Sequence, residues 1–240
     1  MIRVAAVGDV HMDSDVLGRF RPALAQLGDR ADVLLLAGDL TRHGTESEAR
    51  CVADEFGGLA VPVVAVLGNH DHHCDQVPRL VGILSDAGVT VLDGDGVVLD
   101  CPGGRLGVAG VKGFGGGFAG RCASRFGEPE MKAFVATTAD AADRLRAALV
   151  GLDCDVRVAL THYSPVPETL TGEPPEIYPF LGSYLLAEAI DAAPADLAVH
   201  GHAHFGTERG TTPGGVRVRN VAHPVIKQAY SVYSLAGSVA

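Results

Sequence analysis

Short apolar runs alternate with segments of helical spacing along the first ninety residues of the chain. The apolar runs, which we interpret as buried strands, are IRVAAVGD (2–9), ADVLLLAGD (31–39) and VPVVAVLGN (61–69). The segments with helical spacing are VLGRFRPALAQLGDR (16–30), TESEARCVADEFGGL (45–59) and VPRLVGILSDAG (77–88), and Thr45 with Glu48 fits a capping box. Wholly apolar strands that alternate with helices predict βαβ units in a parallel sheet covered on both faces.

The pattern changes after residue 88. Three β runs without intervening helices, VTVLDG (89–94), GVVLDCPG (96–103) and GRLGVAGV (104–111), predict antiparallel hairpins. The remaining pattern predicts a glycine-rich loop, a helix over 128–152, a strand over 154–165, a helix near 182–191, a strand over 195–204, and β runs at 215–222 and 229–235. Because no linker composition interrupts this order, we expect a single domain over residues 1–240.

Composition and charge narrow the class of protein. Hydrophobic residues make up 47% of the chain, which argues against disorder. No apolar run reaches the roughly 18 residues of a membrane span, and the N-terminal residues lack the pattern of a signal peptide. Five scattered cysteines without a CxxC pair indicate reduced thiols, so we expect a cytoplasmic protein. The net charge of −10 disfavours stable binding of duplex nucleic acid and would repel an anionic substrate, unless bound cations reverse the local sign.

Residues that can bind metals follow the strands of the α/β layers. They are Asp9 and His11, then Asp39, then Asn69 and His70, then His162, and finally His200, His202 and His204. Ligands of parallel sheets bind outside the carboxyl ends of the strands, so we expect these side chains to converge. His202 and His204 are two residues apart on an extended segment and therefore project to the same side, whereas His200 is interpreted mainly as a buried strand residue.

The residue types at these strand ends indicate a metal centre. Two carboxylates, several imidazoles and one amide suit borderline divalent metals such as Mn, Fe, Zn, Co or Ni. Seven ligands are too many for one tetrahedral ion but suit a pair, which a shared carboxylate would hold roughly 3.5–4 Å apart. Taken singly, Asp9 and Asp39 could instead be helix N-caps and Asn69 a turn residue, but their common location argues against these explanations.

Five short motifs carry a resemblance to a known family. GDVH, GDLT, GNHD, LTH and GHAH occur in this order over residues 8–204 and resemble the motifs of the calcineurin-like metallophosphoesterases. The resemblance implies an α/β fold, a four-layer α/β/β/α sandwich with mixed central sheets. It also implies a first metal held by Asp9, His11, Asp39 and His204, and a second held by the bridging Asp39 with Asn69, His162 and His202. His70 would point at the substrate, and Asp71 would orient His70.

The second motif separates this chain from one branch of that family. GDLTRHG carries Arg42 and His43 where the protein-phosphatase pattern GDxVDRG has an acidic residue and an arginine, and GDLT with GNHD is more similar to the phosphodiesterase-type branch. We therefore expect two divalent metal ions and hydrolysis of a small phosphodiester, of nucleotide or cyclic nucleotide type, by a metal-bridging hydroxide. A phosphomonoesterase is the alternative. A non-catalytic scaffold is disfavoured because a scaffold needs no His70, and the oligomeric state is left open.

The glycine-rich loop over residues 112–126 leaves two interpretations open. It is either a flexible connector or a lid over the metals, in which Phe114 and Phe118 could stack on a base and Arg121 or Arg125 could pair with a phosphate. His72 and His73 are interpreted mainly as solvated loop residues near the site, whereas His43 and His223 are candidates for lining the pocket for which a structural role is favoured.

Overall fold

The computed structural model describes residues 1–236, so the last four residues of the predicted 1–240 domain lie outside the described residues. The strands are β1 (Ile2–Val7), β2 (Val33–Ala37), β3 (Val63–Val66), β4 (Val89–Val91), β5 (Asp95–Cys101), β6 (Gly104–Val111), β7 (Gly117–Phe118), β8 (Arg121–Cys122), β9 (Val156–Thr161), β10 (Leu197–His200), β11 (Arg209–Thr211), β12 (Arg217–Asn220) and β13 (Ser231–Leu235). The helices are α1 (Arg21–Leu24), α2 (Leu27–Arg30), α3 (Glu46–Phe56), α4 (Val77–Asp86), α5 (Pro129–Gly151), α6 (Tyr178–Leu181), α7 (Tyr184–Asp191) and α8 (His223–Ile226).

Two large sheets carry the fold. The first has the order β13-β1-β2-β3-β4, in which β1 to β4 are parallel and β13 is antiparallel to β1. The second has the order β11-β12-β10-β9-β6-β5, in which β12, β10, β9 and β6 are parallel and both edge strands are antiparallel. Both sheets are therefore mixed, as the resemblance to the calcineurin-like family implies.

Alternate residues of the strands point into different cores. On β2, Leu34 and Leu36 pack outward against helical residues such as Phe56, whereas Leu35 faces inward, in a core shared with residues of the second sheet such as Val158. A third core packs α5 and α7 against the outer face of the second sheet. Each fully buried aliphatic side chain contributes ~1.5–3 kcal/mol relative to exposure. The layers are thus helix, sheet, sheet and helix, and the predicted α/β/β/α sandwich is confirmed.

The structure corrects two predicted elements. Strand β4 pairs in parallel with β3, because α4 completes a βαβ unit between them, so only β5 and β6 form the predicted hairpin. The helix predicted over 16–30 is reduced to the short α1 and α2. Gly18 has a φ of +85°, and the buried carboxylate of Glu55 accepts hydrogen bonds from the backbone N–H of Gly18 and Arg21. These contacts hold the preceding segment as a turn rather than as a helix.

The predicted start of α3 is confirmed. Thr45 is its N-cap, and Thr45 and Glu48 form a reciprocal capping box that satisfies two backbone N–H groups. None of the helices within residues 1–236 combines the length and the apolar character that crossing a bilayer would require.

Candidate functional site

The predicted ligands do meet at one edge of the sandwich. Asp9 and His11 follow β1, Asp39 follows β2, Asn69 and His70 follow β3, His162 follows β9, and His202 and His204 follow β10. The two sheets turn the carboxyl ends of these parallel strands to the same edge, which is where the ligand sites of α/β sheets form.

One group of side chains gathers around Asp9. Ligand atoms of Asp9, His11, Asp39 and His204 all lie within 4.8 Å of one another. His204 Nε2 is 2.9 Å from Asp9 Oδ1 and 3.4 Å from His11 Nε2. Two imidazole nitrogens and a carboxylate that converge in this way form a donor set that suits a borderline divalent cation.

A second group shares one residue with the first. Asp39, His162 and His202 also bring ligand atoms within 4.8 Å of one another. His162 Nε2 is 3.4 Å from Asp39 Oδ1 and 2.9 Å from Asn69 Oδ1, so the amide oxygen of Asn69 belongs to the same cluster. Because Asp39 is a member of both groups, the structure places one carboxylate between two sets of possible metal ligands.

Backbone carbonyls fix the orientation of two of these imidazoles. His162 Nδ1 is 2.9 Å from the carbonyl oxygen of Ala37, and His202 Nε2 is 3.2 Å from that of Phe180. A carbonyl only accepts, so each of these nitrogens carries the proton and donates it. In His162 the other ring nitrogen, Nε2, is then left with its lone pair directed at Asp39 and Asn69, which is the usual arrangement of a metal-binding histidine.

The backbone is strained at the same residues. Among residues 1–236, six non-glycine residues have a positive φ, and four of them are candidate ligands: Asp9 (55°), His11 (43°), Asp39 (48°) and His202 (71°). Such conformations are unfavourable by about 1–3 kcal/mol each and tend to cluster at functional sites, where the surrounding structure enforces them. The strained backbone positions therefore lie at the same edge of the sandwich as the converging ligand side chains.

The glycines of the motifs are needed because the ligands approach them closely. A Cβ atom on Gly68 would overlap the side chain and the backbone nitrogen of Asp39, and one on Gly201 would overlap the carboxylate of Asp9. Gly38, with a φ of +80°, lies against the ring of His162. No role was predicted for these glycines from the sequence. A glycine nevertheless directly precedes several of the predicted ligands, and this pattern indicates that the chain needs a residue without a side chain there.

We expect Gly68→Ala to lower the metal content of the purified protein, because the added methyl group must displace Asp39 from both ligand groups. Gly82→Ala in α4 is the matched control, since a Cβ there meets no atom within 4 Å. The expectation is checked by measuring the metal content of both variants after they have been loaded with metal under the same conditions. A Gly68→Ala protein with full metal content would contradict it.

Burial and neighbouring charges set the protonation of the cluster. Burial, together with the charges of Asp9 and Asp71, raises the pKa of Asp39 to about 8. Burial alone would raise the pKa of Asp9 as well, but the hydrogen bond from His204 and the nearby imidazoles lower it. Burial lowers the pKa of His11 to about 4. Neutral imidazoles and crowded carboxylates are what a divalent cation would stabilise, so the residues present fit such an ion.

Metal binding is expected to release protons and to strengthen up to a pH of about 8. The raised pKa of Asp39, about 8, keeps this carboxyl protonated at neutral pH, whereas ligation requires the carboxylate. In the metal-free protein the neutral carboxyl group of Asp39 stabilises the folded state. This contribution is complete below the pKa that the same group has in the unfolded chain, and it is lost as the pH rises through about 8. Calorimetric titration with Mn²⁺ at about pH 6 and about pH 8, in buffers that differ in protonation enthalpy, measures this linkage. Equal affinity at both pH values without proton uptake by the buffer would contradict it.

His70 lies beside the cluster without being one of its converging ligands. Its Nδ1 is 2.7 Å from the carbonyl oxygen of Arg42, and its backbone N–H donates to Asp39 Oδ1 at 2.8 Å. The ring centroid is 4.6 Å from that of His11, and Nε2 is 3.9 Å from Asp39 Oδ2. The side chain is 43% exposed, so Nε2 can reach a molecule that binds at the edge.

Asp71 does not contact the ring of His70, which corrects the expected orienting contact. The buried carboxylate instead accepts four hydrogen bonds, from the backbone N–H of Leu40 (3.2 Å), Thr41 (2.8 Å) and Gly68 (2.7 Å) and from the hydroxyl of Thr41 (2.6 Å). These bonds join the segment after β2 to the segment after β3. Asp71 therefore acts on His70 only through the backbone that carries the Arg42 carbonyl.

The first half of the glycine-rich loop is packed, whereas residues 119–126 are mostly exposed. Phe118 is only 4% exposed and packs with Leu170, Leu181 and Ala203, so the idea that it stacks on a substrate base is wrong. The ring of Phe114 lies 5.1 Å from that of Phe134. The loop also contains the small hairpin β7–β8, which the sequence did not predict.

Two other histidines, His200 and His43, form hydrogen bonds outside the two ligand groups. The buried His200 pairs with the carbonyl oxygen of Gly201 (2.7 Å) and the hydroxyl of Thr169 (2.9 Å), as expected for a strand residue. His43 forms a third possible ligand group with Asp13 and Glu48. In that group Glu48 already caps α3, and Asp13 is paired with Arg42 at 3.1 Å.

Comparison with known proteins shows what the chain resembles. The family model for calcineurin-like phosphoesterase matches residues 2–206. Comparison with curated protein sequences gave no match. Among solved structures, phosphopantetheinyl hydrolase (PptH) of Mycobacterium tuberculosis superposes with a TM-score of 0.69 at 17% identity, covering 99% of this chain and 97% of that chain.

Two further structures share the fold. TT1561 of Thermus thermophilus has a TM-score of 0.60 at 19% identity, with 91% of this chain and 88% of that chain covered. A phosphatase of Mycoplasma pneumoniae has a TM-score of 0.52 at 16% identity, with 93% and 72% covered. The match of the family model spans the five motifs and the two ligand groups described above. The chain therefore belongs to the calcineurin-like phosphoesterase family and is a phosphoester hydrolase.

Proposed function

We propose that the protein is a dinuclear metal-dependent phosphodiesterase that acts on small substrates of nucleotide or cyclic nucleotide type. The observation that carries this proposal is the position of Asp39, whose carboxylate belongs to both ligand groups. A carboxylate shared by two cations suits a centre that clamps the attacking and leaving oxygens of an in-line displacement at phosphorus.

Each ligand group would hold one divalent ion. Asp9, His11, Asp39 and His204 would hold the first, and Asp39, Asn69, His162 and His202 the second, with the ions drawn from Mn, Fe, Zn, Co or Ni. When bound, such a pair supplies Lewis-acid activation of the phosphoryl group and of water. It would also reverse the negative local charge of an acidic protein, which carries a net charge of −10, and so admit an anionic substrate.

His70 would act on the substrate directly. Its Nδ1–H donates to the Arg42 carbonyl, which fixes the ring and leaves Nε2 facing the exposed edge of the cluster. From there the imidazolium can donate a hydrogen bond to a phosphoryl oxygen, or give its proton to the departing alkoxide. Asp71 would be a positioning residue, because its four hydrogen bonds hold the segment that includes Arg42.

The preference for diesters rests on the second motif and on the surroundings of the cluster. In GDLTRHG, Arg42 follows Thr41 where protein phosphatases have an acidic residue. The backbone carbonyl of Arg42, which is neutral, accepts the hydrogen bond from the ring of His70. An apolar cavity at the same edge offers room for a second alcohol group, which a monoester does not have.

A comparison of two chromogenic esters tests the proposal. Protein loaded with Mn²⁺, with its metal content measured, is expected to hydrolyse bis(4-nitrophenyl) phosphate with at least about a tenfold higher kcat/KM than 4-nitrophenyl phosphate, and to lose both activities with a chelator. Cyclic and linear nucleotides then define the natural class of alcohol. A higher kcat/KM for the monoester would contradict the proposal and favour a phosphomonoesterase.

We infer a cytoplasmic location from the state of the thiols. All five cysteines are free in the structure, which suits a reducing compartment. The absence of stable duplex nucleic-acid binding stays a prediction from the net charge, and the single domain over 1–240 stays a prediction from the unbroken element order.

A further inference from the structure

A cavity of about 320 Å³ opens beside the candidate metal ligands. Leu67 and Val111, which lie at the carboxyl ends of β3 and β6, form part of its wall, so the cavity shares the edge at which the ligands converge. Neither this cavity nor a larger one of about 620 Å³ between α7 and the loop over 165–168 is lined by a candidate ligand, but the larger one is also lined by no residue at the ends of β3 and β6. Size alone therefore does not identify the space that a substrate would use.

Lys112 connects the smaller cavity to the second ligand group. Its backbone carbonyl accepts hydrogen bonds from the N–H groups of His162 (3.0 Å) and Tyr163 (3.1 Å). Its Nζ lies 4.9 Å from the ring centroid of Phe114 and 5.2 Å from that of Tyr163. The ring of Tyr163 in turn lies 4.4 Å from the ring of His202. One aromatic side chain thus separates the ammonium group from a candidate metal ligand.

No carboxylate lies within ion-pair distance of the ammonium group of Lys112 in the described part of the chain, although the charges of Asp93 and Asp39 act on it from further away. Within residues 1–236 no carboxylate oxygen lies within 4.0 Å of Nζ, whose one hydrogen bond is to the carbonyl oxygen of Gly113 at 3.3 Å. Arg144, on the opposite wall, is neutralised by Asp93 (3.4 Å) and Asp140 (3.1 Å). An ammonium has three donors, so at least one donor of the half-buried Lys112 can serve a ligand. The aromatic rings offset only part of the energy that is lost when a cation leaves water.

The rest of the cavity wall is mainly apolar. Its aliphatic members are Leu67, Val77, Val81, Val91, Leu92, Val111 and Ala141. The polar members besides Lys112 are His72, Asp93, Thr137, Asp140 and Arg144, of which Arg144 is paired with both carboxylates. A concave, largely apolar surface with a few placed polar groups is typical of a site that binds a small molecule with a defined orientation. A phosphodiester carries two alcohol groups. If its phosphoryl group lies at the metal ligands, the cavity at the ends of β3 and β6 can take one of these alcohols.

We propose that the cavity binds one alcohol group of the phosphodiester, and that Lys112 pairs with an anionic substituent on that alcohol. The substrate class is therefore a diester of a short, largely apolar alcohol that carries its own negative charge. This inference rests on the proposed phosphodiesterase function and extends it to the choice of substrate.

Two esters that differ in a single carboxylate test the role of Lys112. They are butyl 4-nitrophenyl phosphate and 4-carboxybutyl 4-nitrophenyl phosphate, assayed with the Mn²⁺-loaded protein. We expect Lys112→Met to lower the preference for the carboxylated ester about tenfold, mainly through KM, and Lys112→Arg to restore much of it. Lys132→Met removes an exposed lysine of α5 that does not line the cavity, and should leave the preference unchanged. Calorimetric binding of 4-carboxybutyl methylphosphonate, which is not hydrolysed, should weaken by the same factor.

A second variant tests the cavity without altering Lys112. Thr137 is exposed on α5 at the wall of the cavity, so Thr137→Trp should fill the space without disturbing the core. It is expected to raise KM for both butyl esters several-fold relative to methyl 4-nitrophenyl phosphate, whose alcohol does not reach the cavity. An equal effect on all three esters would overturn the assignment of the cavity.

The possible failures are distinguishable. If the wild type hydrolyses the diesters but Lys112→Met leaves the preference between the two butyl esters unchanged, the inference about Lys112 is wrong and the phosphodiesterase function stands. If the wild type hydrolyses 4-nitrophenyl phosphate and no diester, the proposed function is wrong and the inference is lost with it.

Discussion

Asp39→Asn is expected to reduce the bound metal to less than half and to lower the rate of phosphodiester hydrolysis by about a thousandfold or more. Among residues 1–236, Asp39 is the one residue that belongs to both ligand groups, and a neutral amide cannot supply the negative charge that two cations would share. Metal analysis and steady-state kinetics on the same preparation measure the two effects. Asp86→Asn, at the exposed end of α4, is the control for loss of one negative charge.

The melting temperature of the Asp39→Asn protein tests whether metal loss or unfolding explains the lost rate. Burial and the carboxylates of Asp9 and Asp71 raise the pKa of Asp39 to about 8, so the metal-free protein favours the neutral carboxyl group that asparagine mimics. The metal-free variant is therefore expected to melt at the same temperature as the metal-free wild type at acidic pH, below the pKa of a carboxyl group in the unfolded chain, and at a progressively higher temperature as the pH rises towards about 8. An Asp39→Asn protein that keeps its metals and its rate would overturn the dinuclear assignment.

His70→Ala is expected to lower kcat by about 10²–10⁴-fold while the metal content stays at the wild-type level. The ring of His70 donates to the Arg42 carbonyl, and its exposed Nε2 is not needed to complete either ligand group. His73→Ala, an exposed histidine three residues further along the chain, is the control. Metal loss equal to that of Asp39→Asn would show that His70 is instead a ligand.

The choice of leaving group separates the two roles of His70. If the imidazolium gives its proton to the departing oxygen, the loss in kcat should be larger for an alkyl leaving group than for 4-nitrophenol, because the alkoxide is the stronger base. If the imidazolium only stabilises the phosphoryl oxygens, the loss should be similar for both leaving groups. Measurements of kcat for the two esters in wild type and variant decide between these roles.

Much of the fold could be predicted because its signals are local. The apolar runs that became β1, β2 and β3 and the capping box at Thr45 can be identified within about ten residues of sequence. The prediction was wrong where a distant contact decides the structure. Glu55 captures backbone N–H groups of the segment before α1 and stops a helix there, and α4 brings β4 in parallel to β3.

The sequence by itself determined the order of strands and helices and the set of residues that could bind metals. Both follow from periodicity and from residue type, which are properties of short segments. The bridging position of Asp39 was already implied by the resemblance of the motifs, and the structure places Asp39 in both groups. The tertiary structure alone decided that the Arg42 carbonyl rather than Asp71 holds the ring of His70, and that Lys112 faces a cavity with no carboxylate of residues 1–236 within ion-pair distance. These facts depend on distances between segments far apart in the chain, which are fixed only when the two sheets pack together.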